Sequence, residues 1–266
     1  MEYLEFILYG LIQGLTEFIP VSSTAHLKVI SLLLGIDDPG PSLSAIIQLG
    51  SVLALIYYFR NDFFKFRYES SKKIFDYLFH ERLLRSIFIS TIPIILLGGT
   101  IKLFAPYFFH NILRSNLSIA LVSFFMAIFM FVADTSKKGS VNLKNHNYYD
   151  SFLIGFSQAF AIFPGFSRSG VTISTALISG WERGDAAKFS FLLGIPAIFL
   201  AAFVEFISSF NEFSSFNFFP LIFGLISTFL SSLLAIDFLL KYYSSNGLKL
   251  FIIYRVIFGV VILLNL

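Results

Sequence analysis

Residues 164–170 read PGFSRSG. They lie between FLIGFSQAFAIF (152–163) and VTISTALISG (171–180), two runs apolar enough to lie in a membrane. Proline removes a backbone donor and clashes with the preceding turn, and a helix usually ends just before it. The apolar region 146–180 therefore reads as a helix, a loop and a second helix that turns back. Region 1–34 is broken in the same way by Pro20, inside QGLTEFIPVSSTAH (13–26). The fold is decided by reading each region as a re-entrant hairpin; the alternative is two ordinary kinked spans.

The rest of the chain is membrane-like. Of 266 residues 56% are hydrophobic and 13% charged, against roughly 25% charged in a soluble domain. Mean hydropathy is +0.80. Six further segments, 42–59, 84–104, 116–133, 188–206, 218–240 and 248–266, come near or reach the ~20 residues that cross a bilayer core. The expectation is an all-α polytopic membrane protein with six transmembrane helices and two re-entrant helix-loop-helix hairpins. The opening MEYLEF is acidic and no small-residue cleavage site follows, so no cleavable leader is expected. The absence of cysteine excludes disulfides and thiolate metal sites. The 36 phenylalanines are lipid-facing and core filling, and imply no function.

Placement of Lys and Arg supports the hairpins. If both hairpins are re-entrant, segments 60–85, 134–150, 181–188 and 241–249 share one side and hold fourteen of the nineteen basic residues. The opposite loops, 33–41, 105–115 and 207–217, hold only Arg114. Basic loops stay cytoplasmic, so both termini are expected outside. An internal repeat at an offset of 144 places Pro20 on Pro164, Ser23 on Ser167 and Gln48-Leu49-Gly50 on Leu192-Leu193-Gly194. The chain reads as one membrane domain, with repeat 1 over about 1–134 and repeat 2 over about 146–266. Each half holds a hairpin and three spans, so the halves must be inverted. In that pattern discontinuous helices meet near the midplane to build a site.

An ionisable residue at membrane depth is a functional hypothesis by default. Glu17, His26 and Arg168 are such residues, and all three sit in the two broken stretches. Gln13 and Glu17, four apart, share a helix face. Ser22, Ser23 and Thr24 open the helix after Pro20; their plain alternative is N-capping. His26 has the alternative of a satisfied core histidine. Gly165 and Gly170 permit close backbone approach, and the amides of Ser167, Arg168, Ser169 and Gly170 begin a helix, a ready anion site. Arg168 adds a planar fork suited to phosphate; its alternative is a structural pair with Glu17. Together these groups suit phosphoryl transfer from a lipid: a cation for the charge, a hydroxyl nucleophile, a carboxylate or imidazole for the proton. Without a Walker A pattern, nucleotide-driven work is not expected.

QGLTEFIPVSSTAHL and PGFSRSGVTIS closely resemble the two signature stretches of the bacterial undecaprenyl-diphosphatase family, also called bacitracin resistance proteins. IIQLGSVLA (46–54) and FSFLLGIPA (189–197) look like family segments too. The resemblance implies an integral-membrane hydrolase of the bacterial plasma membrane. Its reaction converts undecaprenyl diphosphate to undecaprenyl phosphate and inorganic phosphate, recycling the carrier of wall polymers. It implies a divalent cation, Mg²⁺ or Ca²⁺, with Glu17 and Gln13 as ligands, and Glu17, Ser23, His26 and Arg168 as catalytic residues. Substrate binding falls to Gln13, Ser22, Thr24, Gln48, Gly165, Ser167, Ser169, Gly170 and Thr172. Gln13 stands where many members have Glu, leaving one carboxylate for metal, and Ala25 stands where many have Gly.

Three nucleophiles remain open: Ser23, a metal-activated water positioned by Glu17, or His26. Ser23 has the better placement, opposite Ser167 across the repeat axis. His26, one helical turn on, is placed to take the serine proton. The first hairpin enters from outside, so the site is expected to open to the outer face. Expected partners are a polyprenyl diphosphate and the bilayer, not nucleic acid; a homodimer is left open. The rival function is a transporter or flippase of polyprenyl phosphate, which needs a midplane anion site but no nucleophile.

Overall fold

The computed structural model describes residues 2–61, 82–104, 113–136, 139–208 and 217–264. Most of the expected basic loop 60–85 lies outside these residues, as do most of 105–115 and 207–217, part of 134–150, and the end of the expected span 248–266. The helices among the described residues are α1 (Glu2–Phe18), α2 (Ser23–Leu34), α3 (Gly40–Tyr58), α4 (Arg82–Phe104), α5 (Asn116–Thr135), α6 (Tyr148–Ala159), α7 (Arg168–Ile178), α8 (Arg183–Ser208), α9 (Phe218–Ser245) and α10 (Lys249–Leu264). Among the described residues the one β-type pairing is an isolated bridge between Val141 and Trp181.

The chain is an all-α polytopic membrane protein. Residues 40–58, 82–101, 116–135, 183–208 and 218–245 are long and apolar enough to cross a bilayer. α10 shows 16 residues, with 265–266 outside the described part. α8 starts five residues before the expected 188 because the polar lead-in is itself helical. Ala186 N–H bonds to the Glu182 carbonyl and Asp185 lies in the first turn, where a negative charge meets the positive end of the helix dipole. α9 runs past the expected 240 to Ser245, with Lys241 bonded to Asp237 one turn back at 2.6 Å on that extension.

Both breaks are present. α1 stops at Phe18 before Pro20, and α6 at Ala159, followed by a 3₁₀ turn at Phe160–Ile162 before Pro164. α2, α6 and α7 have 12, 12 and 11 residues. At 1.5 Å per residue that is under about 20 Å, short of the ~30 Å hydrocarbon core. α1 folds onto α2 and α6 onto α7. Each second helix is entered through a serine held in the left-handed region, Ser22 at φ 76° and Ser167 at φ 62°. The structure thus matches Ser167 with Ser22, not with Ser23 as the offset of 144 requires. The second break holds one more residue between its proline and that serine.

Packing is reciprocal: α1 runs along α9, and α6 along α4. Small residues make the contact close. A Cβ on Gly14 would stand 2.1 Å from Ser231 Oγ and 2.5 Å from the Thr228 carbonyl, and one on Gly155 would stand 2.2 Å from the Ser90 carbonyl. Ser227 donates to the Ile7 carbonyl at 3.0 Å and Ser231 to that of Gly10 at 3.3 Å. In lipid such backbone approach and interhelical hydrogen bonds replace the hydrophobic effect as the force joining helices. Gly14→Leu should force α1 from α9 and cost about 1–3 kcal/mol. Gly99→Leu, at a position where an added Cβ would meet nothing within 4 Å, should be nearly silent. Thermal unfolding in detergent compares them, and equal melting temperatures would contradict this packing.

Candidate active site

α1 carries Gln13 and Glu17 one turn apart, and α2 opens on Ser23. Gln13 Nε2 donates to Glu17 Oε2 at 2.7 Å, and Ser23 Oγ donates to the same oxygen at 2.9 Å. Arg168 is the first residue of α7. Its Nη2 donates to Glu17 Oε1 at 3.3 Å and its Nη1 to the Ser190 carbonyl of α8 at 3.0 Å. The Glu17–Arg168 pair, the structural alternative for this arginine, is therefore present. It also ties the first break to the second. All four side chains are buried, where a hydrogen-bonded charge pair is far less screened than on a surface.

The neighbouring glycine shapes the arginine's place. A Cβ on Gly194 would lie 2.4 Å from Arg168 Nη1 and 2.7 Å from Cζ, so the guanidinium occupies space that any side chain there would fill. Thr172 Oγ1 donates to the Arg168 carbonyl at 2.8 Å and shares a 2.6 Å hydrogen bond with Ser190 Oγ. Ser167 Oγ accepts from the Gly170 amide at 3.2 Å and lies 3.3 Å from Ser169 Oγ. That amide, expected to face an anion, is thus already engaged by a capping hydroxyl. Ser22 makes no such side-chain cap, and the Ser23 hydroxyl turns to Glu17 instead.

The two breaks line one cavity of about 150 Å³. Its polar wall is formed by Glu17, Ser22, Ser23, Thr24, Gln48, Gly165, Ser167 and Arg168. Gln13, Ser169, Gly170 and Thr172 do not line it; they stand behind, buried among the lining residues. His26 faces elsewhere. Its Nδ1 bonds the Ser22 carbonyl at 2.7 Å, Nε2 lies 2.6 Å from Tyr254 O–H, and the ring stacks on Phe258 at 4.2 Å. A carbonyl only accepts, so Nδ1 carries the proton and Nε2 accepts from the tyrosine. Both ring nitrogens are committed to groups other than Ser23.

Two buried atoms at the site have no partner, Gln13 Oε1 and Arg168 Nε. Gln13 Oε1, the Glu17 carboxylate and Ser23 Oγ are hard oxygen donors of the kind Mg²⁺ and Ca²⁺ prefer. Among the described residues no three His, Cys, Asp or Glu side chains gather into a metal cluster. The donors fit a hard divalent cation that takes its remaining ligands from phosphate oxygens and water, which is how Mg²⁺ is commonly held.

Arg255, fully buried on α10, is a charged residue at the site's edge that the sequence pattern leaves unremarked. Its Nε donates to the Pro20 carbonyl at 2.7 Å, Nη1 to Gly165 at 3.0 Å and Nη2 to Phe166 at 3.2 Å. One guanidinium thereby bridges both breaks. The sequence does carry a signal for it, since an arginine inside an apolar span falls under the same rule that singles out Glu17 and Arg168.

The chain matches the family model described as bacitracin resistance protein BacA over residues 6–261. It is 81% identical over 266 residues to a protein of Prochlorococcus marinus strain MIT 9301 named undecaprenyl-diphosphatase, covering all of both chains. A protein of the same name from strain MIT 9312 is 82% identical over 265 residues, with 100% of this chain and 99% of the relative covered. A more distant one, from strain MIT 9313, is 45% identical over 257 residues, covering 96% of this chain and 86% of the relative.

Arg255→Met would leave two buried carbonyls and one part-buried carbonyl without their donor, at about 1–3 kcal/mol for each buried one. It should lower the melting temperature in detergent strongly, and Arg255→Lys, with one compact ammonium for a three-donor fork, should fall between. A melting temperature of Arg255→Met equal to that of the parent chain would contradict the clamp.

Proposed function

The chain belongs to the bacitracin resistance protein BacA family, and we propose that it hydrolyses undecaprenyl diphosphate to undecaprenyl phosphate and inorganic phosphate. In doing so it recycles the lipid carrier of wall-polymer synthesis and confers bacitracin resistance. The observation that carries the reading is the Ser23 hydroxyl held 2.9 Å from a Glu17 oxygen while Arg168 holds the other at 3.3 Å. That arrangement is a nucleophile with a base in reach beside a phosphate-binding cation. A transporter of polyprenyl phosphate needs the cation but leaves the Ser23–Glu17 contact without a role.

In the proposed sequence the terminal phosphate settles against Arg168, whose unpartnered Nε has a donor to give. Ser23 Oγ attacks the terminal phosphorus, its proton passes to Glu17, and the bond to the bridging oxygen breaks, releasing undecaprenyl phosphate. Glu17 passes that proton to the departing undecaprenyl phosphate. Water then attacks the phosphoserine, Glu17 takes the water's proton and returns it to Ser23 Oγ as the Oγ–phosphorus bond breaks, and inorganic phosphate leaves. The second account, direct attack by a water that Glu17 deprotonates, uses the same base and the same Arg168. A divalent cation, held by Gln13 Oε1 and Glu17, would supply charge neutralisation on the diphosphate. His26 serves placement: by binding the Ser22 carbonyl it holds the left-handed turn that presents Ser23.

We further read the fold as two inverted repeats, each with a re-entrant hairpin, in the bacterial plasma membrane. The reciprocal packing of α1 on α9 and α6 on α4 supports that arrangement, as does the left-handed serine before α2 and before α7. In this topology the cavity opens to the outer face, where carrier diphosphate is released after polymer transfer.

Phosphate release by purified protein in detergent tests the function, because detergent abolishes any vectorial readout. Wild-type protein should release phosphate, Ser23→Ala should retain under about a hundredth of that rate, and Ser22→Gly, which suits the positive φ, should keep a measurable fraction. Ser23→Ala retaining a tenth or more would favour water attack, and no release by wild type would leave the transporter reading. For topology, single cysteines at Asn61 and Asn217, both exposed, should label from opposite faces of the membrane. Labelling from the same face would contradict the hairpins.

A further inference from the structure

We propose that Tyr254 is a positioning residue for the hydrolysis: its hydroxyl selects the tautomer of His26, and through that ring it fixes the turn that presents Ser23. The inference rests on the lipid diphosphate activity above. Tyr254 O–H lies 2.6 Å from His26 Nε2, and His26 Nδ1 lies 2.7 Å from the Ser22 carbonyl. A neutral imidazole has one proton for two nitrogens. A tyrosine that donates to Nε2 leaves that proton on Nδ1, where the Ser22 carbonyl accepts it.

The turn needs an external hold. Ser22 sits at φ 76°, a conformation that a residue other than glycine keeps only where its surroundings impose it. Its side chain makes no capping bond, so the constraint falls on its carbonyl. That oxygen accepts twice from His26, from Nδ1 at 2.7 Å and from the backbone N–H at 3.2 Å. The next residue is Ser23, whose Oγ reaches Glu17 only if the turn is kept. The imidazole plane is fixed as well. It stacks on Phe258 at 4.2 Å with 2° between the planes, and on Tyr254 at 5.6 Å with 14°.

Consecutive residues of α10 thus govern the first break. Arg255 holds the Pro20 carbonyl directly, and Tyr254 holds that of Ser22 through His26. Tyr254 is exposed on the apolar surface of α10, yet its hydroxyl is spent on a buried ring. In hydrocarbon that hydroxyl has no water to turn to, so the bond to Nε2 is well kept. The same construction stands before α6. His146 Nδ1 lies 3.0 Å from the Leu143 carbonyl, and its Nε2 lies 2.8 Å from Ser86 Oγ of α4. There too a hydroxyl from another helix meets the ring nitrogen opposite a carbonyl, and the proton is left to hold a turn.

Tyr254→Phe keeps the ring stack and removes the donor. Its kcat on undecaprenyl diphosphate should fall about tenfold, because a displaced nucleophile loses rate, with KM within about twofold, because Arg168 is untouched. His26→Asn is the rescue: its side-chain amide donates from nearly the place of Nδ1–H and has no tautomer to choose. It should keep at least about fivefold more kcat than His26→Ala, and adding Tyr254→Phe to it should cost less than about twofold. Correlation spectra of ¹⁵N-histidine-labelled protein in detergent read the tautomer itself, the His26 signals being those lost in His26→Asn. Wild-type protein should show Nδ1–H, and Tyr254→Phe should shift the ring toward Nε2–H. A wild-type ring protonated on Nε2, wild-type kcat in Tyr254→Phe, His26→Asn no better than His26→Ala, or an equal Tyr254→Phe loss in both backgrounds would each overturn the proposal. Absence of phosphate release by wild-type protein would instead remove the activity on which it stands, and the spectra would still report the tautomer.

Discussion

A break in a helix frees backbone carbonyls and amides, and in a bilayer core no water can take them up. This protein places two breaks side by side, so the carbonyls of Pro20, Gly165 and Phe166 all need donors in one small volume. Arg255 supplies them from a single planar fork. The polar site exists because that condition is met: with the breaks fixed, α2 and α7 start beside each other and carry Ser23 and Arg168 into contact with Glu17. The clamp also explains a buried arginine with a backbone rather than a carboxylate as its counterpart. Three partial negative charges from carbonyls stabilise the cation without neutralising it, leaving a positive field beside the two breaks.

The two halves use matching positions for different work. Ser22 and Ser167 both hold the left-handed turn before a helix, yet Ser167 caps its helix while Ser22 gives its carbonyl to His26. The next residue is Ser23 in one half and Arg168 in the other, so the hydroxyl and the guanidinium that meet on Glu17 both follow the left-handed serine. Gly50 and Gly194 follow the same logic. One lets α9 approach α3, and the other makes room for the guanidinium. Differences of this kind make the site asymmetric, with an acid and a hydroxyl from one break and a cation from the other.

Much of this is legible in the sequence. Long apolar runs and the prolines at 20 and 164 determine span positions and breaks, because length and the missing proline donor are local properties. Gln13, Glu17, Ser23 and Arg168 stand out because polar groups at membrane depth are costly without a role. Less legible are the facts that depend on register across helices. The offset of 144 pairs Ser23 with Ser167, but the second break is one residue longer, so the backbone pairs Ser22 instead. The spacing of one helical turn puts His26 near the Ser23 proton, yet its ring points to Tyr254 and Phe258 on α10, an approach no local spacing encodes. Arg255 is visible as an arginine inside an apolar span, but its partners are hidden in the same way, being more than eighty residues distant in sequence.

The central claim is that both breaks form one phosphate-binding site. It is tested most directly by an experimental structure of the protein with a non-hydrolysable polyprenyl methylenediphosphonate and Mg²⁺. The account predicts the terminal phosphonate between the two breaks, within hydrogen-bond distance of the Arg168 guanidinium and with Ser23 Oγ facing its phosphorus. A diphosphonate bound away from Arg168, or touching only one of the two breaks, would contradict it.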